Sequence, residues 1–554
     1  MFKKSALFLS VILSCLAMFG SLVGCKGNGG GTGNGGNTID PNNTNKLEIY
    51  VYNAGYGYEW AEDILAAFVQ EPWVQEKYPG IENNSVVEHD ELATHASDLL
   101  SASTSINKYD IVMGSGLEGK IGPDYNVLDL TEVVYNSTVP GESVLYKDKL
   151  LDSYLDSAMY RGKGDVVTAP SYYQANWASG MTGIMYNETK LNALGFEVPK
   201  TTDELLSIMQ AVKTRTADAT YGQNTSFATY GSSTYVNYLF YTWWAQYQTS
   251  EEYVNFYNGI DSKTESRSPA IFKQEGIYES LAVIEKILHK NNGYTWLNPN
   301  TGREAYRETQ NRVLLGNALF MSNGDWVDNE LKTLREGLIA EMGRADTVKL
   351  MSVPVISAII EKTPSITNDQ MLSAVVEAID AGETSYAGVS AEDFAIVKEA
   401  REVVYSIGPG HNACIPSGAV GKNPAVDFLR YMATDKAQEI YIRATNGATL
   451  PFEYNLKEKN PSLYATISPM YQGVIDRFIS QNVNILPAQS SFILVKFGNL
   501  SPFSSGIPFE DFTTGKSAGN YSCVAEMCFE REYKFWTENN NAVWKNCLRQ
   551  AGLQ

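Results

Sequence analysis

Gly114-Ser115-Gly116-Leu117-Glu118-Gly119 has the spacing of a dinucleotide-binding turn, and Lys120 brings it close to a P-loop. Either chemistry needs a helix to begin there, so that its N-terminal amides meet phosphate. Gly122-Pro123 forbids much of a helix, and Ile121 stands where a P-loop hydroxyl would hold magnesium. The stretch is therefore expected to be a tight turn after a strand at 109–113, offering Ser115 and backbone groups to a different ligand. Histidine chemistry is poorly supported. His89, His95, His289 and His411 are the only four, and none stand at i, i+4 spacing. No metal and no cofactor are expected. Two carboxylates about 5–9 Å apart would suffice for a glycosidase, so a cell-surface glycoside hydrolase stays open as the alternative function.

Aromatic side chains suggest another use. Sugar rings have apolar C–H faces that stack on the electron-rich faces of Trp and Tyr, while their hydroxyls need polar partners. Tyr172-Tyr173-Gln174-Ala175-Asn176-Trp177 mixes both kinds, and residues 229–257 carry Tyr230, Tyr235, Tyr238, Tyr241, Trp243, Trp244 and Tyr247. Most such residues belong to a core, and only a few should touch ligand. Trp177 and Trp243 or Trp244 are the expected stacking platforms.

Elements must position these groups. Leu47-Glu48-Ile49-Tyr50-Val51-Tyr52 alternates like a strand, a turn follows, and Trp60, Ile64, Leu65 and Phe68 recur at helical spacing. Repeated strand, turn and helix predict an α/β fold with parallel strands. Ligands in such sheets sit beyond the carboxyl ends of strands, which points to Asn53 and Tyr56 after the first strand and to Ser115 after a later one. Thr201 and Glu204 form a capping box before a helix with Leu205, Met209 and Val212 inward. Asn423-Pro424 predicts another helix start, and Asn446-Gly447 the end of the helix after it.

The segment Gly316-Asn317-Ala318-Leu319-Phe320-Met321-Ser322-Asn323-Gly324-Asp325-Trp326 resembles a signature of extracellular solute-binding proteins of carbohydrate ABC transporters, the maltose-binding-protein-like group. Its Ala–Met spacing is one residue looser than usual. Gly183-Ile184-Met185-Tyr186-Asn187, the run from Val198 to Leu205, and Ile415-Pro416 with the helix from Ala425 to Gln438 resemble further family segments in the same order. The resemblance implies two α/β lobes with a sugar in the cleft between them, residues 46–169 plus 413–485 forming one and 170–412 plus 486–554 the other. Crossings are expected near Ala169-Pro170-Ser171 and Cys414-Ile415-Pro416. It also implies that Trp326 packs at the cleft, and Asp325 beside it is expected to accept sugar hydroxyls. The ligand is expected to be a neutral sugar gripped by shape, with a non-sugar solute on the same scaffold left open as an alternative. About a hundred residues exceed a typical member, near 215–300 and 356–408.

The N-terminus fits that setting. Lys3, Lys4 and an apolar run end at Leu22-Val23-Gly24-Cys25, which resembles a bacterial lipobox. Residues 1–24 are expected to be a signal peptide and Cys25 to be lipidated. Residues 25–45, rich in Gly and Asn, would form a tether reaching roughly 25 Å. The net charge of −20 makes nucleic acid an improbable partner. Cys523, Cys528 and Cys547 leave a disulfide open. The expected partners are a carbohydrate, permease subunits and a membrane reached only through the lipid, with the chain a monomer at the outer face of a bacterial membrane.

Overall fold

The structure is a computed structural model that describes residues 45–101, 108–160, 162, 169–214, 225–479, 483–487, 500–504 and 506–553. The expected signal peptide, the expected lipidation site Cys25 and all of the expected tether but Asn45 lie outside the described residues.

Two five-stranded sheets organise the body. In the first, β1 (Leu47–Tyr52) lies parallel between β2 (Ser85–Asp90) and β3 (Ile111–Ser115). The sheet continues with β11 (His411–Cys414) antiparallel to β3, and β4 (Ala175–Asn176) antiparallel to β11. In the second, β7 (Thr295–Asn298), β6 (Phe227–Tyr230) and β8 (Phe320–Gly324) run parallel. There β5 (Thr182–Asn187) pairs antiparallel with both β8 and β9 (Val348–Met351), Met185 opposing Met321. The expectation of parallel strands thus holds for only part of each sheet. A strand that enters a sheet directly from the other lobe, with no crossover helix, is free to run against its neighbours.

The chain passes between the sheets at 177–181, since β4 still belongs to the first sheet and β5 to the second. It returns at 407–410, after β10 (Val403–Ser406) and before β11, somewhat apart from the crossings expected near Ala169 and Cys414. The two passages touch. A Cβ on Gly180 would strike the Gly408 backbone, and one on Gly408 would strike the Ser179 carbonyl. A last strand, β12 (Asn484–Pro487), pairs in parallel with β10.

Helices cover the sheets with the faces that periodicity predicts. Helix α1 (Glu59–Val69) buries Trp60, Ala61, Ile64, Leu65 and Phe68. Helix α2 (Thr202–Thr214) buries Leu205, Ile208, Met209 and Val212. Thr201 Oγ1 accepts from the Glu204 amide at 3.2 Å, but Glu204 reaches back to the Lys200 amide at 2.7 Å, one residue beyond the simple capping box. The helix Lys422–Tyr431 starts at Gly421, so Asn423-Pro424 falls inside the first turn rather than at the cap. Helix α7 (Asp435–Ala444) ends before Asn446 and Gly447, both at positive φ, as their types predict.

The segment near 215–300 contributes α3 (Thr234–Gln248) and α4 (Glu275–Leu288), which pack together; α8 (Val524–Gln550), kinked at Glu538–Asn541, lies on α4. The segment near 356–408 forms a helix pair tied by Arg401, whose guanidinium donates to Asp380 at 2.9 and 2.8 Å. The cysteines at 523, 528 and 547 form no disulfide. Among the described residues no helix is long and apolar enough to cross a membrane.

Candidate ligand cleft between the sheets

The turn after β1 and the segment after β8 face one another. Trp326 caps the N-terminus of α6 (Val327–Met342), directly beyond the strand end at Gly324-Asp325. Its indole lies where a Cβ on Gly55 or on Gly324 would be, so two glycines make room for one ring. Asn329, one turn along α6, donates to the Gly55 carbonyl at 2.9 Å.

Between these elements opens a cleft of about 1060 Å³. Asn53, Tyr56 and Ser115 line it from the first sheet and Trp326 from the second. Tyr235 and Tyr238 from the first turns of α3, and Tyr306 and Arg307 from α5 (Arg303–Leu314), complete the facing wall. Trp326 is ringed by Tyr56, Tyr235 and Tyr238 at 6.1–6.2 Å, all edge-on. Its Nε1 donates to the Tyr235 hydroxyl at 3.4 Å. Links across the opening include the Asn329–Gly55 hydrogen bond and an ion pair between Arg303 and Glu91.

Four expected contact residues belong elsewhere. Trp177 is fully buried, stacked on Trp60 at 5.4 Å, and its Nε1 donates to the Gly114 carbonyl at 3.1 Å. Trp243 and Trp244 are equally sealed, their Nε1 groups donating to the Pro354 carbonyl and to Gln274 Oε1 at 3.0 and 2.8 Å. Their stacking role gives way to core packing, because both ring faces are covered and the one polar atom is already paired. Asp325 is 1% exposed. Its oxygens accept from the Tyr56 hydroxyl at 2.6 Å, the Ser179 hydroxyl at 2.7 Å and the Met181 amide at 3.2 Å. It ties the turn after β1 to the first crossing instead of receiving sugar hydroxyls. Burial outweighs these three donors and raises its pKa to about 6.

Tyr235 and Tyr238 stand in the aromatic segment that composition singles out. Their place at the start of α3, where the helix meets the cleft, is what separates them from Trp243 and Trp244. No sequence signal marks Arg307 or Tyr306. His411 also lines the cleft, its pKa pushed down to about 4 by burial, so its imidazole is neutral near pH 7. Among the described residues no group of three potential ligands could hold a metal ion. Gly114 of the nucleotide-like motif has a plain structural reason: a Cβ there would meet Ala96 and Leu117. Only a single 3₁₀ turn, Glu118–Lys120, follows it.

The sequence profile described as bacterial extracellular solute-binding protein matches residues 125–461. No curated protein matches the chain in sequence. Many solved structures are alike in fold, among them the following three. A chitin oligosaccharide binding protein is 13% identical with a TM-score of 0.53, over 90% of this chain and 100% of its own. The maltose-bound MalE3 of T. maritima is 13% identical with a TM-score of 0.53, over 88% and 98%. The GacH receptor of Streptomyces glaucescens, solved unliganded and with acarbose, is 13% identical with a TM-score of 0.51, over 91% and 99%. With more than half of its length matched by the profile and two mixed sheets flanking one cleft, the chain belongs to the bacterial extracellular solute-binding proteins and has the two-lobed fold of their maltose-binding-protein-like group.

Proposed function

We propose that this chain captures a sugar or oligosaccharide outside the cell and delivers it, chemically unchanged, to the permease of an ABC transporter. One observation carries the reading: a cleft of about 1060 Å³ between two sheets, walled by Tyr235, Tyr238, Tyr306 and Trp326. That is room for several sugar rings and a set of aromatic faces to hold them. The related structures, a chitin oligosaccharide binding protein, a maltose-bound protein and a receptor solved with acarbose, support the same class of ligand.

Trp326 is the main stacking platform, while Asn53, Ser115 and the tyrosine hydroxyls receive sugar hydroxyls. Ligand shifts the lobes toward closure only through contacts made better when closed. The links from Asn329 to Gly55 and from Arg303 to Glu91 are of that kind. A micromolar complex needs about 8 kcal/mol. The named polar partners are uncharged, so each hydrogen bond contributes about 0.5–1.5 kcal/mol net, and stacking of the sugar's apolar faces on the aromatic wall supplies the rest. Cys25 carries the lipid, residues 25–45 are the leash, and the chain works as a monomer.

Titration calorimetry of the soluble protein from residue 26 against an oligosaccharide panel tests the reading. Heat from at least one saccharide, which is recovered intact after long incubation, is expected. Hydrolysis products would favour the glycosidase alternative, and silence across the panel would remove the sugar. Cys25→Ser in the full chain should release it from the membrane fraction.

A further inference from the structure

The charged groups around the cleft are balanced, four cations against four carboxylates, in a chain whose net charge is −20. Most of the cations are accounted for. Arg303 pairs with Glu91, and Arg443 with Glu439 at 3.4 Å. Lys332 is exposed to water. Arg307 differs from all three. It lies one turn after Arg303 on α5 and is partly buried, and its Nε is sealed from solvent with no hydrogen-bond partner. Among the described residues no ion pair holds it.

Glu330 stands in the same wall, but one of its oxygens accepts from Gln310 Nε2 at 2.6 Å. Burial also pushes the Glu330 pKa up to about 7, so near neutral pH it balances Arg307 only in part. A partly desolvated guanidinium without a full counter-charge is costly to keep. Its planar fork fits a carboxylate or another oxyanion through paired N–H donors, which sugar hydroxyls cannot match. Tyr306 precedes it in sequence, and Tyr235, Tyr238 and Trp326 line the same cleft, so a ring and an anion would be gripped side by side.

We propose that the saccharide taken by the cleft is acidic, and that Arg307 is the residue that receives its anionic group. This rests on the sugar-capture reading and replaces the expectation of a neutral ligand. The shared chemistry is an oxyanion on a sugar ring, supplied by a uronate carboxylate or by a sulfate ester.

Calorimetry on the protein from residue 26, at pH 7 and low salt, separates the cases with three arms of equal length: a neutral, a uronate and a sulfated oligosaccharide. At least one anionic arm should bind about tenfold or more tighter than the neutral arm, and which one does identifies the anion. Arg307→Gln should bring the ratio of anionic to neutral affinity close to one, and Arg307→Lys should restore part of it. That ratio is independent of any general loss of fold, which a thermal melt of each variant records. Neutral binding as tight as both anionic arms overturns the proposal while leaving sugar capture standing, as does a ratio that survives Arg307→Gln. Silence in all three arms overturns both.

Discussion

Trp326 and Trp177 are both nearly sealed indoles, and both sit about 6 Å from the ring of Tyr56. Their surroundings differ in kind. Trp177 lies flat on Trp60, and its N–H is spent on the Gly114 backbone carbonyl. Trp326 stands at the start of a helix among tyrosines that themselves line the cleft, and its N–H reaches another cleft hydroxyl at 3.4 Å. One ring has partners that folding alone provides. The other has weak, edge-on partners that a ligand could improve upon. Burial by itself therefore does not separate core from cleft wall; the quality and replaceability of the contacts does. Helix α3 repeats the lesson within a single element, with Tyr235 and Tyr238 on the cleft and Trp243 and Trp244 locked in the core.

The comparison breaks first at Trp177. Trp177→Ala should cost about 3–5 kcal/mol of stability, the range for a buried large aromatic, in urea denaturation. A cost below about 1 kcal/mol would mean that the ring is not core.

Asp325 joins the two regions, since the Tyr56 hydroxyl donates to it. Its folded pKa of about 6 stands above the ordinary value of 3.8. The stability it contributes is therefore fully present below pH 3.8 and is lost as pH rises through about 6. Two units correspond to about 3 kcal/mol. Asp325→Asn should flatten the change in stability between pH 4 and 7 by that order. The amide can turn its oxygen to Ser179 and Met181 while the Tyr56 hydroxyl accepts from its NH₂. A pH profile identical to that of the parent protein would show that Asp325 does not titrate there.

At Trp326 the expected loss moves from stability to affinity. Trp326→Ala should weaken saccharide binding at least about tenfold, or about 1.4 kcal/mol, with the fold retained by circular dichroism. Unchanged affinity would place Trp326 with Trp177. Gly55→Ala should act on the same ring indirectly, because the new methyl would press on the indole; a loss of about threefold to tenfold by calorimetry is expected. Ser115→Ala, which removes one hydroxyl from the opposite wall, should cost the least, about threefold.

Much of this was legible in the chain. The strand at 47–52, the stripe of α1 and the stop at Asn446-Gly447 depend on local sterics and on an apolar face, and each appears as expected, although Tyr50 is buried along with Ile49 and Val51. So does the likeness of the segment from Gly316 to Trp326, whose two-lobed implication the sheets bear out. The positions beyond strand ends, Asn53, Tyr56 and Ser115, reach the cleft because strand direction decides where strand ends gather. The expectations for Trp177, Trp243 and Trp244 failed differently. Residue type says that an indole will be buried, but not against what.

What the sequence by itself determined is the family, the kinds of elements and which face of each turns inward. Those are set by residues a few positions apart, or by an ordered series of short motifs. Only the tertiary structure decided which aromatics stand in the cleft, that Asp325 is a buried tie among Tyr56, Ser179 and Met181, and that the sealed Nε of Arg307 has no hydrogen-bond partner. Each depends on groups that are far apart along the chain, as Tyr56 and Asp325 are at 269 residues, and local pattern carries no record of such meetings.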